Sequence, residues 1–124
     1  MIKLGYFLTA FTLFFVALAA LGGLRAETAK ENYQLYCVQC HGTQGSGGGI
    51  NNTYKGLAVS PRDHTNAKEM AKLSDQVLRL AIAKGGDAVE KSELMPAFGY
   101  TLTENEIGEL VVYLRELCRC QETK

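Results

Sequence analysis

Apolar residues follow three different patterns along this chain. From Leu4 to Leu24 the stretch LGYFLTAFTLFFVALAALGGL runs without a charge between Lys3 and Arg25. Near the other end the spacing is helical: Ile107, Leu110, Val111 and Leu114, with Leu117 and Cys118 closing the last turns, form one face, while Glu104, Glu109, Arg115 and Glu116 populate the other side. Thr103-Glu104-Asn105-Glu106 opens that helix as a capping box, and Leu102 and Ile107 are placed as its hydrophobic staple. Between these patterns lies mixed sequence that splits into shorter elements.

A first helix is predicted from Ala29 to about Cys40, with Tyr33 and Cys37 on one face. From Gly42 to Asn66 the chain is too rich in Gly, Asn and Pro for a regular element and is read as a loop. A short turn is expected around Ala67 to Ala71. Ser74 then N-caps a helix through Val77, Leu78, Ala81 and Ile82, stapled by Leu73 and Leu78 and stopped by Gly85 and Gly86. With no internal repeat and no useful alternating stretch, the fold class is all-α with few, short helices.

The leading apolar segment changes the picture of where the chain works. It resembles an export signal or a membrane anchor, so the expected boundaries are 1–26 for signal or anchor and 27–124 for one domain. Membrane association would run through residues 4–24. Either reading places the remainder in a periplasmic or equivalent extracytoplasmic space. Setting aside Lys3 and Arg25 leaves 11 basic and 13 acidic residues, a net −2, which gives no reason to expect nucleic acid as a partner. A domain this small builds only a modest core from side chains, so a large apolar cofactor would complete it.

Cys37-Val38-Gln39-Cys40-His41 supplies the chemistry for such a cofactor. Two thiols three positions apart suit covalent capture of a haem through its vinyl groups, and the next residue is carried beneath the ring with an imidazole that reaches the iron. The sixth ligand decides between electron transfer and ligand chemistry. Met95 is the candidate: it stands in Leu94-Met95-Pro96-Ala97-Phe98-Gly99 between two helices, with Pro96 biasing its backbone toward an extended form.

Together, Tyr33 before Cys37, CVQCH, a glycine-rich loop, LMPAFG and an amphipathic helix with Leu110 and Tyr113 resemble class I cytochrome c, over essentially all of the chain after the export segment. The resemblance implies the cytochrome c fold around one covalent haem c held by Cys37 and Cys40, with His41 as proximal and Met95 as distal iron ligand. It also implies that the first and last helices cross, Ala29 and Tyr33 meeting Leu110 and Tyr113. One departure stands out. The proline the family usually carries about a dozen residues after the histidine is replaced by Asn51-Asn52-Thr53-Tyr54, which leaves the acceptor of the His41 N–H unassigned.

Competing readings exist for several residues. A four-thiolate zinc site from Cys37, Cys40, Cys118 and Cys120 would leave His41 unused and the Met95 loop unexplained. Met70 and His64 are alternative iron ligands, although the plain reading of His64 is a solvated loop histidine. Arg62 and Tyr54 are candidate haem-propionate contacts. Gly45 to Gly49 lacks the Lys-Ser or Lys-Thr of a phosphate loop and is read as cover for the haem edge. Cys118 and Cys120 admit a local disulfide, a disulfide-linked dimer or free thiols. The favoured function is single-electron transfer between respiratory redox partner proteins rather than an enzymatic reaction. The alternatives are a haem subunit of a larger oxidoreductase complex, or a haem enzyme or sensor with a displaceable distal ligand.

Overall fold

A computed structural model of the chain describes residues 28–53 and 59–123. The Leu4–Leu24 segment, the boundary after Ala26, and Tyr54 lie outside the described residues. Among those residues there are helices and turns and no strand, as an all-α chain requires.

Helix α1 occupies residues 28–36. Rather than continuing to Cys40, it hitches at Cys37 and resumes as α2, Val38–His41. Hydrogen bonding carries across the junction, from the Cys37 N–H to the Tyr33 carbonyl and from the His41 N–H to the Cys37 carbonyl, both 2.9 Å. Gly42, at φ 81°, ends the turn. A 3-10 turn, Ile50–Thr53, follows, and residues 59–66 lead into α3, Ala67–Met70, which Asn66 caps by accepting from the Glu69 N–H.

Helix α4, Asp75–Lys84, begins where predicted, with the Ser74 hydroxyl accepting from the Val77 N–H at 3.2 Å, and it stops at Gly85. A 3-10 turn, Asp87–Val89, and the Met95 loop connect it to α5, Glu104–Cys118. The capping box is complete: Glu106 N–H reaches the Thr103 hydroxyl, and Thr103 N–H reaches the Glu106 carboxylate at 2.8 Å. Each such cap is worth about 1 kcal/mol, so both helix starts are set locally.

The core forms where α5 packs on α3 and α4. Ile107, Leu110, Val111, Leu114 and Cys118 bury one face of α5 against Met70, Leu78 and Ile82. The expected meeting of first and last helices is present: the Tyr33 and Tyr113 rings stand 5.3 Å apart at 60°, and Ala29, Tyr33 and Leu110 are all buried.

Arg115 corrects the reading of α5. It was expected on the polar side, yet it is only 6% exposed. Its guanidinium donates to the Met70 carbonyl at 2.9 Å and the Leu73 carbonyl at 2.6 Å, and pairs with Asp75. Carbonyls at and just beyond the last turn of α3 are short of helical donors, that of Met70 receiving the Leu73 N–H at 3.1 Å, and a long side chain with five N–H groups adds to them. Beyond α5, Cys118 and Cys120 are joined in a local disulfide, the first of the three alternatives for this pair. The tail then returns to the α3–α4 corner, where Glu122 accepts from the Asp75 N–H and the Thr123 N–H donates to the Ala71 carbonyl.

Candidate haem site

Cys37, Cys40, His41 and Met95 all line one cavity of about 730 Å³. Leu73, Val77, Leu78 and Ile82 from the α4 side and Leu110 and Leu114 from α5 give it apolar walls. Tyr36 at the end of α1 leans on Phe98 of the Met95 loop, ring centroids 5.8 Å apart, so the two ligand-bearing segments meet at one edge. The volume and lining suit a large, flat, mostly apolar group. Cys37 and Cys40 are free thiols, half-buried at one side of the cavity. Burial, and secondarily the charge of Cys40, pushes the Cys37 thiol up to about 12, which keeps it protonated at neutral pH.

His41 is held for ligation through one nitrogen. Its Nδ1 lies 2.9 Å from the carbonyl of Arg62, and since a carbonyl can only accept, Nδ1 carries the proton and Nε2 keeps its lone pair. Burial holds the imidazole below its ordinary pKa, against the opposing effect of that hydrogen bond. The acceptor that the sequence left unassigned is therefore in Pro61-Arg62-Asp63-His64. Within it, Asp63 accepts from the N–H and hydroxyl of Thr65, and this turn, following a proline, fixes the segment.

His64 is no solvated loop residue. It is 8% exposed, stacked on the His41 ring at 4.0 Å and 19°, and hydrogen-bonded through Nδ1 to the Tyr33 hydroxyl at 2.9 Å. Burial, then the charges of His41 and Arg62, lowers its pKa to about 3, so it stays neutral. The expectation of a solvated histidine failed because its partner, Tyr33, lies 31 residues away. Met70 is fully buried in the core and does not line the cavity, whereas His64 does.

The glycine-rich stretch also has a different role from the one expected. Gly45 to Gly49 do not line the cavity and instead pass behind the cysteine–histidine turn. Gly47 N–H donates to the His41 carbonyl at 2.8 Å and Gly49 N–H to the Cys40 carbonyl at 3.0 Å. A Cβ at Gly49 would collide with the Gln39 and Cys40 backbone, so glycine is needed for this approach. Residues 59–64 line the cavity in its place, with Arg62 half-buried among them.

Met95 is fixed from the end of α4. Its carbonyl accepts from the Gly86 N–H at 3.0 Å, while Phe98 and Gly99 N–H groups donate to the Ile82 and Ala83 carbonyls. A Cβ on Gly86 would run into the Ser92 carbonyl, which explains the second glycine of the Gly85-Gly86 pair. No group of three or more metal-binding side chains occurs among the described residues, and the disulfide occupies two of the four sulfurs a zinc site would need. Also among them, no helix is long and apolar enough to cross a membrane.

Comparison with known proteins agrees with this geometry. The family model for cytochrome c oxidase, cbb3-type, subunit III matches residues 24–114. A solved structure, the KustC0563 c-type cytochrome, is similar at a TM-score of 0.57 and 28% identity, over 72% of this chain and 95% of that one. No curated protein matches the chain. The free thiols beside His41, the apolar cavity and the family match thus agree, and the chain belongs to the c-type cytochromes, in the cbb3-type oxidase subunit III family, with haem c as its covalent cofactor.

Proposed function

We propose that this protein carries single electrons between redox protein partners outside the cytoplasm, with His41 and Met95 as the axial ligands of its haem. Haem c, when bound, supplies a one-electron ferric/ferrous couple. The observation that carries the reading is the convergence of Cys37, Cys40, His41 and Met95 on one apolar cavity. Cys37 and Cys40 anchor the porphyrin. His41 offers Nε2 because Arg62 occupies Nδ1. Met95 offers a soft thioether, which favours the ferrous state and raises the potential relative to a second histidine. Arg62, at the cavity wall, is placed to offset propionate charge.

Ligands held on both sides by backbone hydrogen bonds change little between oxidation states, as a carrier requires. Optical spectra of the oxidised and reduced protein test this. A six-coordinate spectrum with the weak methionine-to-iron band, unmoved by carbon monoxide and lost in Met95→Ala, is expected. Rapid carbon monoxide binding by the wild type, or an unchanged spectrum in Met95→Ala, defeats the ligand set and favours a sensor or enzyme.

The family description favours a second reading, in which the chain is the haem-bearing part of a larger oxidase-type complex. Mild detergent extraction separates the two. Migration as a species of the chain's own mass, 13.5 kDa before any processing, supports the free carrier, and co-migration with a multisubunit complex supports the second reading.

A further inference from the structure

Three side chains beneath the haem-binding turn form a linked set, two stacked rings and a tyrosine that meets the second ring edge-on, that electron carriage by itself does not call for. His41 presents its Nδ1 edge to the Arg62 carbonyl and its face to His64, and His64 in turn is bonded to Tyr33. One hydrogen bond directs an imidazole but leaves it free to rock about the line joining donor and acceptor. A flat ring laid on its face removes that freedom. Both constraints come from residues 62–64, so they move as one piece.

We propose that His64 is a positioning residue for the axial imidazole: stacked on His41 and latched by the Tyr33 hydroxyl, it sets the plane in which His41 meets the iron. This rests on the reading of His41 as an axial ligand. The His64 ring has little freedom of its own. Its backbone N–H donates to the Gly45 carbonyl at 2.6 Å, its Nδ1 is engaged by Tyr33, and Tyr33 is 1% exposed and braced by Tyr113. Gly45 makes room for the latch, since a Cβ there would stand 3.2 Å from the Tyr33 hydroxyl and 3.4 Å from the His64 Cβ. A leucine would fill the same space without a flat face to lay on His41, whereas a phenylalanine would keep the face and lose only the bond to the buried hydroxyl. A polar ring at this depth costs desolvation, which Tyr33 offsets.

The plane of the axial imidazole governs how unpaired spin spreads over the four haem methyl groups in the ferric state. Proton NMR of the oxidised holoprotein reads that plane directly. Compared with wild type, His64→Ala is expected to reorder or compress the four methyl shifts while haem content and the methionine-to-iron band stay unchanged. His64→Phe, which keeps a flat ring, should return most of the wild-type pattern, and Tyr33→Phe should shift it in the same direction as His64→Ala by a smaller amount. Unfolding midpoints taken alongside separate this from general loosening, because a purely structural loss lowers the midpoint without reordering the methyl shifts. A wild-type pattern in His64→Ala, or a His64→Phe pattern as displaced as that of His64→Ala, overturns the proposal. Should His64→Ala fail to retain haem, Tyr33→Phe decides: a wild-type methyl pattern there overturns the latch and the role with it. If the wild-type spectrum lacks strongly shifted His41 ring protons, the axial assignment itself fails, an outcome distinct from any in the variants.

Discussion

The guanidinium of Arg115 meets the carboxylate of Asp75 at 2.8 Å, the arginine buried on α5 and the aspartate about half exposed at the head of α4. The pair is unequal. Arg115 also serves the Met70 and Leu73 carbonyls, so its value lies in the backbone groups it satisfies more than in the ion pair. Arg115→Ala is expected to cost on the order of 1–3 kcal/mol, because the Leu73 carbonyl loses its guanidinium donor and the Met70 carbonyl is left with the Leu73 N–H alone. Asp75→Asn should cost less than about 1 kcal/mol, because the carboxylate faces water and Arg115 keeps its carbonyl partners. Urea unfolding of the holoprotein measures both, and equal losses would refute the assignment of roles.

The Met95 loop hangs on a glycine. Gly86→Ala would force a methyl group into the Ser92 carbonyl and weaken the bond from its own N–H to the Met95 carbonyl. Carbon monoxide should then bind the ferrous variant about tenfold more tightly than the wild type, equivalent to ~1.4 kcal/mol of lost ligand bias. Unchanged binding would mean that the loop is held elsewhere.

Acid should weaken the start of α5. Hydrogen bonds from the Thr103 N–H and hydroxyl hold the Glu106 carboxyl below its ordinary value of 4.5. With the folded pKa lower than the unfolded one, the folded state favours the deprotonated form. The contribution is complete above the unfolded value and is lost as pH falls through the folded one. Stability of Glu106→Gln and wild type should therefore converge as the solution is acidified. A constant gap from neutral to acid would show that the carboxylate charge contributes nothing. Thr103→Ala, which removes the cap itself, should cost about 1 kcal/mol at neutral pH.

The disulfide spans a sequence separation of only two residues. So short a loop restricts the unfolded chain little, and replacing both cysteines by serine should cost no more than roughly 1–2 kcal/mol. The haem spectrum should not change. With both sulfurs engaged within one chain, mobility on denaturing gels should be the same with and without reductant. A reductant-sensitive band of twice the mass would establish the disulfide-linked dimer instead.

How much was legible beforehand depended on how far apart the interacting residues lie. The Ser74 and Thr103 caps, the glycine stop after Lys84 and the apolar face of α5 were readable because each is decided within one or two helical turns. The cysteine–histidine turn was readable for the same reason, its three reactive groups being spaced by the helix itself. The environments of Arg115, His64 and the His41 N–H were not. Their partners stand 40, 31 and 21 residues away, and hydrophobic periodicity carries no record of a guanidinium turned inward to backbone carbonyls or a loop histidine stacked under another.

The sequence by itself thus determined the cofactor, the starts of α4 and α5 and the candidate pair His41 and Met95, since spacing along a helix or loop dictates those. Only the tertiary structure decided that the Arg62 carbonyl accepts from the His41 N–H, that His64 stacks on His41 and bonds to Tyr33, and that the glycines back the haem-binding turn rather than line the cavity. Those are matters of close approach between distant segments, and burial with hydrogen-bond satisfaction in the folded chain settles them.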